Sequence, residues 1–130
     1  LLALERVLEW NLARLIPAEP KERGKKRVHA GGNHFQSEEF LSRKQFDTFI
    51  WPTCKKALLA TIDLGFVPGP FMEGKNDDRI ELFLELPKGK AFIRLAQIDI
   101  VRAKAILGGH LCIMGGMPTS LLWSGSSQEV

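Results

Sequence analysis

A few residues in this chain are of types, and at spacings, that can do chemistry. His110-Leu111-Cys112 sets an imidazole and a thiol two positions apart. On a strand that spacing puts both on one face, and zinc accepts both donors. Glu73 ends the apolar run from Phe66 to Met72 and is followed by Gly74, so a carboxylate there can ligate a metal or hold a proton. His34 follows Gly31-Gly32-Asn33 and can orient a substrate or shuttle a proton. Asp99 and the pair Gly115-Gly116 stand just past two further apolar runs and are candidates to touch a substrate. Each has a plainer explanation. Cys112 can be a buried core thiol, Glu73 a solvated loop carboxylate or a partner of Arg79, His34 a loop imidazole capping backbone, and Asp99 a helix cap.

These residues need elements to hold them, and hydrophobic periodicity supplies a set. Leu4, Val7, Leu8, Leu12 and Leu15 recur at helical spacing until Pro17 and Pro20. Residues 27 to 33 read as a short strand with turn chemistry at its end. Ser37, with Glu38 and Glu39, predicts a helix start, and the helix runs through Phe40, Phe46 and Phe49. Pro52 removes an amide donor and kinks it or restarts it as a second helical piece, and Gly65 ends the element. Residues 66 to 73 form a second strand despite their prolines. Asp77 or Asp78 then caps a helix over Ile80 to Leu84, 91 to 97 is a third strand, Asp99 caps a helix over Ile100 to Leu107, and 110 to 115 is a fourth strand.

Strand and helix alternate from residue 27 onward, the pattern of parallel βαβ units. The four strands should be parallel, each followed by a helix, with His34, Glu73, Gln97 to Asp99 and Gly115-Gly116 gathered at one end. Such a chain makes a doubly wound sheet or a barrel. No G-x-G-x-x-G or Walker A pattern follows a strand, which removes the main support for nucleotide binding.

Composition narrows the function classes. The chain has 130 residues, 45% hydrophobic and 25% charged, the make-up of one globular domain. No apolar run reaches the roughly 18 to 20 residues that span a bilayer, and no signal peptide pattern opens the chain, so the expectation is a cytoplasmic protein without membrane contact. The net charge of +3 is concentrated in Lys21, Arg23, Lys25, Lys26 and Arg27. With no interleaved aromatics to stack bases, that run reads as a solvated loop and not a nucleic-acid site. Cys54 and Cys112 follow no secreted-scaffold spacing, so they should be reduced thiols, or one of them a metal ligand.

Several segments, in order, carry a resemblance: His34-Phe35-Gln36-Ser37-Glu38-Glu39-Phe40, Phe49-Ile50-Trp51-Pro52, Phe71-Met72-Glu73-Gly74, Glu85-Leu86-Pro87-Lys88-Gly89-Lys90, Ala103-Lys104 and Cys112-Ile113-Met114-Gly115. Over residues 28 to 130 the chain resembles the uroporphyrinogen decarboxylase superfamily, whose fold is a (β/α)8 barrel. A complete barrel takes about 250 residues, so the resemblance implies a partial (β/α)8 TIM barrel, about half of one, with residues 1 to 130 an internal fragment of a single barrel domain. Glu73-Gly74 and the Cys112 to Gly115 strand look more like the methyltransferase-like branch than like the decarboxylases of haem biosynthesis.

That branch implies methyl transfer involving a corrinoid, alone or on a corrinoid protein, and a thiol activated by zinc. The decarboxylase alternative implies a tetrapyrrole substrate and no cofactor. Thiol-activating members use a His-x-Cys pair directly before the loop glycine plus a later Cys. Here Cys112-Ile113-Met114 occupies that place, and a thioether is a poor zinc ligand. Similar proteins also have an aromatic residue in place of Ile50, an acidic one near Ala96 and an Asn in place of Gly116. The chain opens on Leu1 inside an amphipathic pattern and closes on Ser126 and Glu129 at capping-box spacing, which reads as cut at both ends. An arc of four strands would be inactive by itself, its last helix frayed or absent, and it can act instead as an assembly module that hides its edges by homodimerising.

Overall fold

The computed structural model describes residues 2–15, 27–29, 34–35 and 40–129. Helix α1 (Leu2–Leu15) opens the chain. Six short strands follow: β1 (Arg27–His29), β2 (His34–Phe35), β3 (Phe66–Pro68), β4 (Phe71–Met72), β5 (Phe92–Leu95) and β6 (Cys112–Gly115). Every pairing among them is parallel. β1 pairs with β3, and a four-stranded sheet runs in the order β2-β4-β5-β6. Within the four-stranded sheet the strands follow chain order, β3 being set apart beside β1, and the fold is mixed α/β with a parallel sheet. Among the described residues no helix is long and apolar enough to cross a membrane.

Of the run predicted as a strand over 27 to 33, Arg27–His29 is a strand and 30–33 lie outside the described residues, while the run predicted over 66 to 73 is broken in two. In the second, Pro68-Gly69-Pro70 causes the break, because prolines donate nothing to a ladder. The Pro70 carbonyl still accepts from Arg94 N–H at 2.9 Å, and Gly69 lies so close to the Phe92 ring that a Cβ there would overlap it. The third and fourth strands are shorter than expected, at 92–95 and 112–115.

The helical segments also differ in detail from the expectation. The predicted start at Ser37 lies outside the described residues, and Phe40 is in a turn. The start that forms is at Ser42, where a capping box joins the Ser42 side chain to Gln45 N–H and the Gln45 side chain to Ser42 N–H. Helix α2 (Arg43–Gln45) passes through one π turn, Phe46–Ile50, into α3 (Trp51–Asp63). Pro52 stands at the head of α3. The wider π turn lies just before it, and α3 restarts there with Pro52 in its first turn, where no amide donor is needed.

The helix expected over Ile80 to Leu84 is a 3-10 helix, Ile80–Glu85, with Arg79 at its cap and no side-chain capping bond. Neither Asp77 nor Asp78 caps it. Asp99 does cap α4 (Ile100–Leu107), its Oδ1 accepting from Val101 and Arg102 N–H at 2.8 and 3.2 Å. A last short helix, α5 (Thr119–Ser124), follows β6. Beyond it, Ser126 N–H and Oγ–H both donate to Glu129 Oε2 at 2.8 Å in a turn.

One face of the sheet carries the core. Met72, Ile93 and Leu95 are buried against Leu58 of α3, Ile80 and Phe83 of the 3-10 helix, and Ala103 and Leu107 of α4. Trp51 meets Phe83 edge-on, ring centroids 5.2 Å apart. Strand alternation sends Phe71, Phe92, Arg94, Cys112 and Met114 to the other face, where they are half-buried or exposed.

Candidate functional site

The carboxyl ends of β4, β5 and β6 point the same way because the strands are parallel, and a cleft of about 520 Å³ opens there. Its polar rim is Lys75 after β4, Gln97 and Asp99 after β5, and Thr119 and Ser120 at the head of α5. Ile98, Ile100 and Pro118 supply apolar wall, and Gly116 lies among them. Ile98 is 2% exposed, which anchors the β5 loop in the core beneath the cleft.

Two devices shape this cleft. Gly115 and Gly116 both adopt left-handed backbone, at φ +92° and +87°, which only glycine enters without cost. This turn lets Gly116 N–H donate to the Leu95 carbonyl at 2.9 Å, tying the end of β6 to the end of β5. A Cβ on Gly115 would overlap that same carbonyl oxygen, and one on Gly116 would stand 3.0 Å from Ile100. The second device is the loop after β4. Asp99 N–H donates to Asp77 Oδ1 at 3.2 Å, so one aspartate holds the loop that presents the other.

Beneath that loop lies a buried polar relay. The Arg79 guanidinium is 3% exposed; its Nη1–H donates to Asn76 Oδ1 at 2.8 Å and its Nη2–H to the Leu41 carbonyl at 2.9 Å. It also sits 4.7 Å above the Phe46 ring. Asn76, fully buried, donates in turn to the Glu73 carbonyl. Residues 73 to 79 are therefore fixed from below, which leaves Lys75 exposed at the rim.

The chain matches none of the family models, curated proteins or solved structures compared with it. The site is therefore read from its own geometry.

That geometry sorts the sequence-predicted residues. Asp99 and Gly116 line the cleft, and Gly115 shapes it from the adjacent position. Glu73 follows β4 at the same end of the sheet, half-buried, but does not line the cleft. His34 is a strand residue of β2 in register with Phe71, and its side chain lies outside the described residues.

His110 and Cys112 do not join the others. β6 begins at Cys112, so the pair stands at the amino end of the sheet, opposite the cleft. His110 Nε2 is 2.7 Å from the Leu86 carbonyl oxygen, and His110's own carbonyl accepts from Gly89 N–H at 2.9 Å. The histidine pins the turn before β5 to the turn before β6. Cys112 is exposed and Cys54, on α3, faces the core. Burial pushes the Cys54 thiol up to about 11, the opposite of what a thiolate ligand requires. Among the described residues no three His, Cys, Asp or Glu side chains gather as a metal site would need.

The sequence alone did not single out Lys75, Thr119, Ser120 or Arg94. Arg94 carried a readable signal, a cation at an alternate position of an otherwise apolar strand; its Nε–H donates to the Gly69 carbonyl at 3.0 Å and its guanidinium lies 5.2 Å from the Phe71 ring centroid.

Proposed function

We propose that the chain supplies an arc of a (β/α)8 barrel in an enzyme of the uroporphyrinogen decarboxylase superfamily, from its methyltransferase-like branch, with the cleft beyond β4, β5 and β6 receiving the small substrate. The supporting observation is the sheet itself. Its four strands are all parallel and in chain order, and the core helices pack on one face. The face with Phe71, Phe92, Arg94 and Met114 carries no such helix layer among the described residues. All-parallel sheets occur with both faces covered, and closure into a barrel covers the inner face with the sheet's own side chains.

In this reading the reacting groups stand on the loops at the strands' carboxyl ends. Glu73, beside the cleft and not in its lining, relays a proton to it, His34 orients substrate, and Gly116 allows close approach. Zinc held by His110 and Cys112 does not fit, because they stand at the wrong end of the strands and His110 is already engaged with Leu86. A cleft of about 520 Å³ suits a drug-sized molecule or smaller. A corrinoid macrocycle with its nucleotide tail does not fit inside it, so a partner corrinoid protein would have to present it from the open side.

The test uses the full-length protein, incubated once with methylcobalamin and a thiol acceptor and once with uroporphyrinogen. Methyl transfer that falls by about 100-fold or more in E73Q supports the proposal. Loss of carboxyl groups from uroporphyrinogen with no methyl transfer sinks it.

A further inference from the structure

We infer that the cleft is a site for a small monocarboxylate with a short apolar body, and that it rejects polycarboxylates. This deepens the proposed function and rests on it only in taking the cleft as the substrate site. Among the described residues the cleft has one cationic side chain, Lys75, and no carboxylate lies within ion-pair distance of it. Its ammonium is free to meet an anion.

The remaining rim sets how much charge the anion can carry. Asp99 is on the rim, and Asp77 is bonded to the Asp99 amide just behind it. Asp99 spends its Oδ1 on the first amides of α4, which fixes the carboxylate in place. A second or third negative charge on a ligand would face these two aspartates with no further cation to offset them. Phosphate, which carries more than one negative charge near pH 7, is disfavoured for the same reason. One carboxylate can take Lys75 and the hydroxyls of Thr119 and Ser120 while its apolar body rests on Ile98, Ile100 and Pro118. A porphyrinogen with several acetate arms fails this charge balance.

The experiment is an amide NMR titration of the chain with butyrate, butyramide, inorganic phosphate and citrate, in the wild type, K75M and T119V. Butyrate is expected to shift the amides of Lys75, Gln97, Gly116 and Thr119, to bind at least fivefold more weakly to K75M, and to weaken as salt rises. Butyramide, phosphate and citrate should bind more weakly than butyrate. T119V, which keeps the charge and removes one hydroxyl donor, should weaken butyrate binding, but by less than K75M does. The inference is overturned if butyrate moves none of these amides, if K75M binds it as well as wild type, or if citrate or phosphate binds more tightly. Methyl transfer by the full-length protein without butyrate binding retires this inference alone; butyrate binding without methyl transfer retires the functional reading alone.

Discussion

Replacing Gly115 by alanine tests the turn that forms one wall of the cleft. At φ +92° an alanine pays the left-handed backbone cost of about 1–2 kcal/mol. Its Cβ also overlaps the Leu95 carbonyl oxygen, so the carbonyl or β6 must move. That oxygen accepts the Gly116 N–H at 2.9 Å. Losing that bond adds about 1 kcal/mol. The expected total of about 2–3 kcal/mol should lower the urea midpoint by about 1–2 M. Two other glycines separate the causes. Gly65 has φ +86° and open space around the missing Cβ, so G65A reports backbone cost alone. Gly109 has open space and an ordinary φ, so G109A should change stability by less than about 1 kcal/mol and can raise it. If G115A loses no more than G65A, the crowding against Leu95 is relieved at no cost and the wall of the cleft is soft.

Four further outcomes are expected. In thiol labelling at pH 8, Cys112 reacts at once and Cys54 only on unfolding, since a thiol at about 11 is thiolate about one time in a thousand there. Because the folded chain keeps that proton to about pH 11 while the unfolded chain releases it near 9, wild type should lose about 2–3 kcal/mol relative to C54A as pH climbs through this window, measured by urea melts at several pH values. R79M leaves Asn76 Oδ1 and the Leu41 carbonyl without donors and removes the contact with Phe46, so it should cost about 3 kcal/mol and speed hydrogen exchange across residues 73 to 79. D99A should cost about 1 kcal/mol through the lost cap, with D99N restoring most of it in thermal melts.

What could be read from the sequence was local or periodic. The apolar run around Phe92, Ile93 and Leu95 announced a strand, and Asp99 announced a helix through bonds to amides two and three residues on. Features settled by distant partners were not legible. Asp77 looks like a helix cap, yet its carboxylate goes to an amide 22 residues away, and the segment after it tightens into a 3-10 turn. His110 and Cys112 have metal-ligand spacing, but spacing does not reveal which end of a strand a pair occupies or that Leu86 already holds the imidazole. Lys75, Thr119 and Ser120 become a site only because parallel register brings three loops to one edge.

The chain-order sheet has a consequence for synthesis. Since β3 docks on β1, β4 on β2, β5 on β4 and β6 on β5, every strand after the first two finds its first neighbour already made. The domain can therefore be laid down vectorially as it leaves the ribosome, each unit templating the next. The newest strand always presents a bare edge in the meantime. Between the end of β5 at Leu95 and the start of β6 at Cys112, translation at about 5–20 residues per second leaves that edge open for about 1–3 s. During that interval the nascent chain is most exposed to mispairing with its neighbours on the same polysome, and a holding chaperone would have most to protect.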